Sequence, residues 1–245
     1  MILAEYQDKK FSIKNPKRSF NQYLNKEEGK QEEFGYRESK NYGSVRQYFS
    51  EMSNGQFTPL FDIVGPVTLP EDMTYYGGTS STGNDERTAQ MVVDACELVK
   101  DSVDFSLYDN NNDGYVDLVY VIYAGYGQSM GAANNTVWPK ATYARSQAEY
   151  NGKKIYRAGV NNELIGNEST FNGEPAITGL GLFIHEFSHC LGLPDFYAST
   201  LTSSIYDNQG IEVMQQPRTT RLEDIGTIAD VLNVDIHELI CHTKV

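Results

Sequence analysis

The eleven residues from His185 to Asp195 constrain this chain more than any other stretch. They read His-Glu-Phe-Ser-His-Cys-Leu-Gly-Leu-Pro-Asp, the pattern H-E-x-x-H-x-x-G-x-x-D. On a helix, His185 and His189 stand one turn apart on the same face. Two imidazoles at that spacing can bind a single zinc ion, and Glu186 between them can polarise a water. Gly192 allows a sharp turn, and Asp195 returns as a third zinc ligand with one coordination position left open. The preceding run from Ala176 to Ile184 is apolar and predicts that the helix is buried. A buried histidine pair needs a partner, because unpaired polar groups in a core are costly. The bland alternative is a surface helix with two solvated histidines. The chain holds only four histidines, and the extension through Gly192 and Asp195 argues against coincidence.

The ligand set predicts a reaction. Three protein ligands leave zinc able to bring the pKa of a water to about 7. Glu186 is expected to take a proton from that water as it attacks a peptide carbonyl, then to pass the proton to the leaving amine. Zinc would also stabilise the oxyanion. A carboxylate ligand at Asp195 makes the metal less electrophilic than three histidines would.

Composition narrows the class. At 245 residues the chain fits one domain, or one domain with a small appendage. A formal net charge of −13 argues against nucleic acid or an anionic membrane as partner. No apolar run reaches the length of a membrane span. Met1 to Ala4 is too short for a signal-peptide core and is followed at once by Glu5, so the sequence as given shows no signal peptide. The chain is therefore cytoplasmic as written, or an exported protein that has lost its leader. Cys96, Cys190 and Cys241 are an odd number without C-x-x-C spacing, and Cys190 reads as a small core residue.

Along the chain, Ile2 to Tyr6 reads as a short strand, and the charged residues 8–40 read as surface loop. Ser44 is placed to cap a helix over Val45 to Met52, with Gln47 in the capping-box position. Phe57 to Val67 has strand character, interrupted by Pro59 and ended at Gly65-Pro66. Asp85 to Asp101 carries an apolar helical stripe. Leu118 to Tyr123 is the best strand of the chain, expected at the centre of a sheet and ended by Ala124 to Gly127. Further strands are expected within Thr136 to Arg145 and Lys154 to Val160; in a zinc peptidase fold an edge strand here would lie next to the cleft, where substrate could add to it as an extra strand. Between the helical stripe and the best strand lies Asp109-Asn110-Asn111-Asn112-Asp113-Gly114-Tyr115-Val116-Asp117. It places calcium-type oxygen ligands at Asp109, Asn111, Asp113 and Asp117, with the Tyr115 carbonyl between them. Tyr120 stands where an EF-hand has its bidentate Glu, so a shorter structural calcium loop is expected; the alternative is an acidic turn without an ion.

These segments together resemble the immune inhibitor A type of secreted bacterial metallopeptidase, a group related to the metzincins. The resemblance is carried by Gly43 to Phe49, Ser53 to Phe57, Val64 to Val67, Tyr75 to Gly77, Asp104 to Asp117, Tyr123 to Gly127, Trp138-Pro139, the zinc motif and Tyr206 to Glu212. It implies an α/β (α+β) catalytic domain, with a twisted mixed sheet and an active-site helix. It also implies zinc at His185, His189 and Asp195, Glu186 as general base, structural calcium, a protein or peptide substrate, and a monomer secreted or held at the cell surface. The resemblance extends to about residue 212. A metzincin-like enzyme should continue into a turn with a Met beneath the zinc, whereas here Met214 arrives early, within Val213 to Pro217. The expected organisation is a catalytic domain over 1–213, incomplete at both ends, and a helical tail over 214–245.

That tail has its own pattern. Leu222, Ile225, Ile228, Ala229 and Leu232 form one helical stripe, and Asn233 to Asp235 breaks it. The tail resembles the closing two helices of phage-repressor-like helix-turn-helix regulators, without the helix that reads DNA. His237 and His242 within it read as solvated or packing residues. Three functions follow in descending order: a zinc endopeptidase, a catalytically impaired zinc-binding remnant of one, and a DNA-associated regulator acting through the tail.

Overall fold

The computed structural model describes residues 1–27, 29, 41–78, 85, 87–144 and 148–193. Among the described residues, seven strands and five α-helices form an α/β fold around a mixed sheet. The strands are β1 (Ile2–Glu5), β2 (Val64–Thr68), β3 (Val119–Tyr126), β4 (Lys140–Tyr143), β5 (Glu149–Tyr150), β6 (Lys153–Lys154) and β7 (Arg157–Leu164). The helices are α1 (Pro16–Asn25), α2 (Val45–Met52), α3 (Met73–Tyr76), α4 (Thr88–Val99) and α5 (Leu180–Cys190). The main sheet has the order β2-β1-β3-β7-β4, and β5 and β6 form a separate hairpin. Four strands run parallel, and β4 closes one edge antiparallel to β7.

All eight residues of β3 are buried because both faces of the sheet are covered. Val119, Val121 and Tyr123 face α4, while Tyr120 and Ile122 face α5. The central strand therefore extends further than its apolar core suggested. Ala124, Gly125 and Tyr126 continue it, and Tyr126 pairs with Leu164 after an irregularity in register.

The charged stretch read as loop contains α1. Its Phe20, Tyr23 and Leu24 are fully buried, spaced as one helical face among charged neighbours. Pro16 stands at the first turn, where a missing N–H costs nothing. Each of these three side chains contributes about 1.5–3 kcal/mol by leaving water. The Tyr23 hydroxyl donates to the Gly179 carbonyl at 2.9 Å, which ties α1 to the start of α5. Ser44 caps α2 as expected, with its hydroxyl accepting the Gln47 N–H at 3.1 Å. The Gln47 side chain turns away to Glu51, so the reciprocal half of the capping box does not form.

The strand expected to end at Gly65-Pro66 instead begins at Val64 and runs through both residues. Pro66 is tolerated because β2 is an edge strand. Gly65 has φ +98°, and a Cβ there would stand 2.5 Å from the Leu3 carbonyl oxygen, so only glycine lets β2 close on β1.

Three consecutive polar residues of β7, Asn161, Asn162 and Glu163, are also buried. Glu163 Oε1 accepts the N–H groups of Ser12 at 2.7 Å and Ile13 at 2.8 Å, and Oε2 accepts that of Gly125 at 2.8 Å. One carboxyl thus joins the segment before α1, the end of β3 and β7. Burial raises its pKa from 4.5 to about 7, although the three N–H groups and Lys9 pull the other way.

Candidate metal centre

The helix α5 carries the motif, and its amphipathic pattern sets its orientation. Phe183, Ile184, Phe187 and Cys190 are buried against the sheet. The ring of Tyr120 lies 4.6 Å from that of Phe183, and Phe183 stacks on Phe187 at 5.8 Å. No side chain of the preceding residue caps the helix; the side chain of Asn41 accepts the Leu180 N–H instead, at 3.2 Å. This orientation turns His185 and His189 away from the aromatic layer.

The end of α5 is a Schellman turn. Gly192 has φ +102°, its N–H donates to His189 O at 3.0 Å, and the Leu193 N–H donates to Ser188 O at 3.1 Å. The sharp turn expected at Gly192 is present. The turn brings the Leu193 carbonyl back to 2.7 Å from His189 Nδ1. A carbonyl oxygen only accepts, so Nδ1 carries the proton and Nε2 carries the lone pair. That Nε2 lies 3.2 Å from His185 Nε2. Two imidazole nitrogens on one tetrahedral zinc stand about 3.3 Å apart, given Zn–N bonds of about 2.0–2.1 Å. Ligand atoms of His185, Glu186 and His189 all fall within 4.8 Å of one another. The donor chemistry and spacing fit zinc.

Glu186 is buried, with Oε1 3.9 Å from His185 Nε2. Its Oε2 accepts the backbone N–H of Ala141 on β4 at 3.0 Å. The Ala144 N–H donates to Tyr156 O at 2.7 Å, toward the β7 side. Residues alternate along a strand, so the backbone groups of Ala141 and Tyr143 point away from β7, to the edge on which no further strand pairs among the described residues. Glu186 therefore sits where the outer edge of the sheet meets the metal helix.

Cys190 belongs to the core, as expected. Its Sγ donates to Ala158 O at 3.5 Å, and burial pushes the thiol pKa up to about 12. Arg157 Nη1 donates to Cys190 O at 2.9 Å, placing a cation at the negative end of α5. Behind the helix, Phe187, Cys190 and Leu191 line a cavity of about 780 Å³ together with Tyr156 and Arg157. His185, Glu186 and His189 are not among its lining residues.

The Asp109–Asp117 loop closes on its own bonds. Asp109 accepts the N–H groups of Asp113 and Gly114, each at 3.0 Å, and an ion pair from Lys153 Nζ at 2.6 Å. The lysine holds the Asp109 carboxyl below its ordinary pKa range. Asn111 accepts the Asp113 N–H, Asp113 accepts the Tyr115 N–H, and Asp117 accepts the Asn110 N–H. Asp109, Asn111, Asp113 and Asp117 thus each accept at least one N–H of the loop itself, and Tyr115 pairs with Lys154 as an isolated bridge. Asp195, Met214, His237, His242 and the whole stretch 214–245 lie outside the described residues.

Three contributors have no signature in the sequence. The Leu193 carbonyl and the Ala141 amide are backbone groups, and Asn41 lies far along the chain from the helix it caps. Only the expected edge strand, now located at β4, pointed toward Ala141.

Residues 2–212 match the family described as immune inhibitor A peptidase M6, catalytic domain. The chain is 26% identical over 231 residues to Immune inhibitor A of Bacillus thuringiensis subsp. alesti, covering 82% of this chain and 33% of that protein. It is 25% identical over 186 residues to pre-pro-metalloprotease PrtV of Vibrio cholerae serotype O1 (strain M66-2), covering 67% of this chain and 20% of that protein. The chain thus spans about a third or less of the length of these relatives. With 2–212 matched by the catalytic-domain family, the chain belongs to the immune inhibitor A peptidases of the M6 class.

Proposed function

We propose that this chain is a zinc-dependent endopeptidase that hydrolyses peptide bonds in proteins. His185 and His189 would hold the metal, Asp195 would complete the protein ligands, and Glu186 would serve as general base. The observation that carries this reading is the convergence of two Nε2 atoms 3.2 Å apart, one with its tautomer set by the Leu193 carbonyl. Bound zinc would supply Lewis acidity, lowering the pKa of a water and polarising a carbonyl.

The residues of the chain do the rest. Glu186 accepts a proton from the attacking water and returns it to the leaving amine. Its Oε2 is anchored by the Ala141 N–H, which fixes where Oε1 waits. The outer edge of β4 offers the Ala141 carbonyl and the Tyr143 backbone groups to an extended peptide, which would add to the sheet as a further strand. The partner is therefore a protein or peptide, and the net charge of −13 disfavours DNA association through the tail. None of the described helices is long and apolar enough to cross a membrane. The pre-pro-protease name of one relative supports a reading in which the chain acts after export.

Calcium at the Asp109–Asp117 loop belongs to this proposal in a restricted form. An ion there would have to displace Lys153 from Asp109.

Zinc content and casein cleavage test the proposal together. The chain should bind one zinc and cut casein. Glu186→Gln should keep the zinc and lose cleavage by at least about 100-fold. His185→Ala should lose both. Stoichiometric zinc without cleavage by the unaltered chain would identify the impaired remnant instead, and absence of zinc binding would remove the proposal altogether.

A further inference from the structure

The strand that anchors Glu186 ends in a group of tyrosines that stay in water. Tyr143 closes β4, and its ring lies 5.0 Å from that of Tyr156, which lies 6.0 Å from that of Tyr115. Exposure is 49% for Tyr143, 44% for Tyr156 and 41% for Tyr115. Scattered single aromatics on a surface need no explanation, but a contiguous row of rings marks a binding surface.

Strand geometry decides what this row faces. Ala141 packs against the core cluster that contains Phe183 and Phe187 of α5, and Tyr143, two residues on, projects from the same face of the sheet. Its cross-strand neighbour is Arg157, which donates to Cys190 O at the end of α5. The ring of Tyr143 therefore lies on the metal-helix side of the sheet, about 7 Å along the strand from the residue that holds Glu186. Its backbone N–H and carbonyl share the free edge with those of Ala141.

We infer that Tyr143, backed by Tyr156, determines specificity by receiving an aromatic side chain of the peptide substrate. The inference rests on the peptidase reading given above. A peptide pairing antiparallel with β4 places one residue directly opposite Tyr143, with the two Cβ atoms about 4.5–5.5 Å apart on the same face. Aromatic rings attract at centroid separations of about 4.5–7 Å, a range this pairing reaches. The peptide runs opposite to β4, so the residue facing Tyr143 comes before the one facing Ala141 and Glu186. The selected side chain thus stands about two positions ahead of the cleaved bond. The Arg157 guanidinium nearby already donates to a carbonyl, which leaves ring contact as the leading attraction.

The test uses the full chain with zinc and a peptide series varied at that one position. Phe or Tyr should exceed Ala in kcat/KM by about 10-fold, the size of a favourable ring pair. Tyr143→Ala should reduce the ratio to about 2-fold, Tyr156→Ala should reduce it in part, and Tyr143→Phe should retain it. The ratio is insensitive to a uniform loss of active protein. Peptide cleavage with the same preference in Tyr143→Ala, or a preference for acidic residues at that position, overturns the subsite and leaves the peptidase reading standing. No cleavage of any peptide by the unaltered chain overturns both.

Discussion

Replacing Glu163 by Gln separates the cost of burying a charge from the benefit of three backbone hydrogen bonds. The folded pKa is raised from 4.5 to about 7, so folding favours the protonated form. The stability carried by that preference is complete below about pH 4.5 and is lost as the pH rises through 7. A rise from 4.5 to about 7 corresponds to about 3 kcal/mol. Glutamine has the shape of the acid and does not titrate. Its single oxygen can serve Ser12 and Ile13 together, which leaves the Gly125 N–H facing an amide donor. That mismatch costs about 1–3 kcal/mol. Near pH 4.5 the variant should therefore be less stable than the parent by about that amount. Toward pH 8 the parent loses its additional 3 kcal/mol or so, and the two stabilities should meet or cross. Urea unfolding at half-unit steps from pH 4.5 to 8, with metal held constant, measures the difference; metal-linked changes common to both proteins cancel. A constant gap would show that Glu163 does not titrate in this range. A gap that widens with pH would mean that the three N–H groups outweigh burial, and the reasoning would be refuted.

Other expectations concern the metal helix, the missed helix and the acidic loop. Gly192→Ala forces a side chain onto φ +102° and should cost about 1 kcal/mol or more, while zinc affinity falls by about 10-fold as the Leu193 carbonyl shifts; competition with a chelating dye reads the affinity. An unchanged affinity would disconnect the turn from the site. Phe20→Ala should lower stability by about 3–5 kcal/mol in urea if α1 is part of the core, and a loss under about 1 kcal/mol would contradict the buried packing. Lys153→Met should make the melting temperature rise more with added calcium than it does in the parent, because Asp109 is released. Equal calcium responses would rule out competition between the lysine and an ion.

The parts legible in sequence were those whose pattern is local. β3 shows itself through its β-branched and aromatic part, Val119 to Tyr123, and the motif helix through an apolar run leading into paired histidines. Gly192 was readable because a left-handed helix stop needs glycine. The helix α1 was hidden because Lys17 and Arg18 precede Phe20, and Asn21 and Gln22 separate it from Tyr23, so charge and amide masked a single buried face. β2 was misplaced because Gly65-Pro66 looks like a stop, while at the sheet edge it is a close approach to Leu3. The polar run Asn161 to Glu163 looks like surface in sequence. Its burial depends on amides at Ser12, Ile13 and Gly125, and no periodicity announces such distant partners. The acidic loop was read from its oxygens, but the spacing gave no sign of Lys153, which reaches Asp109 from the hairpin.

The turn at Gly192 also bears on the order in which the centre assembles. In a loose chain the imidazole proton of His189 exchanges between its two nitrogens. Once the Leu193 amide is drawn back to Ser188, the adjoining carbonyl confines that proton to Nδ1. A helix terminator thereby acts as a tautomer selector, and competence to take up metal depends on that turn being closed. Fraying that last turn would slow metal capture before it loosened the sheet beneath.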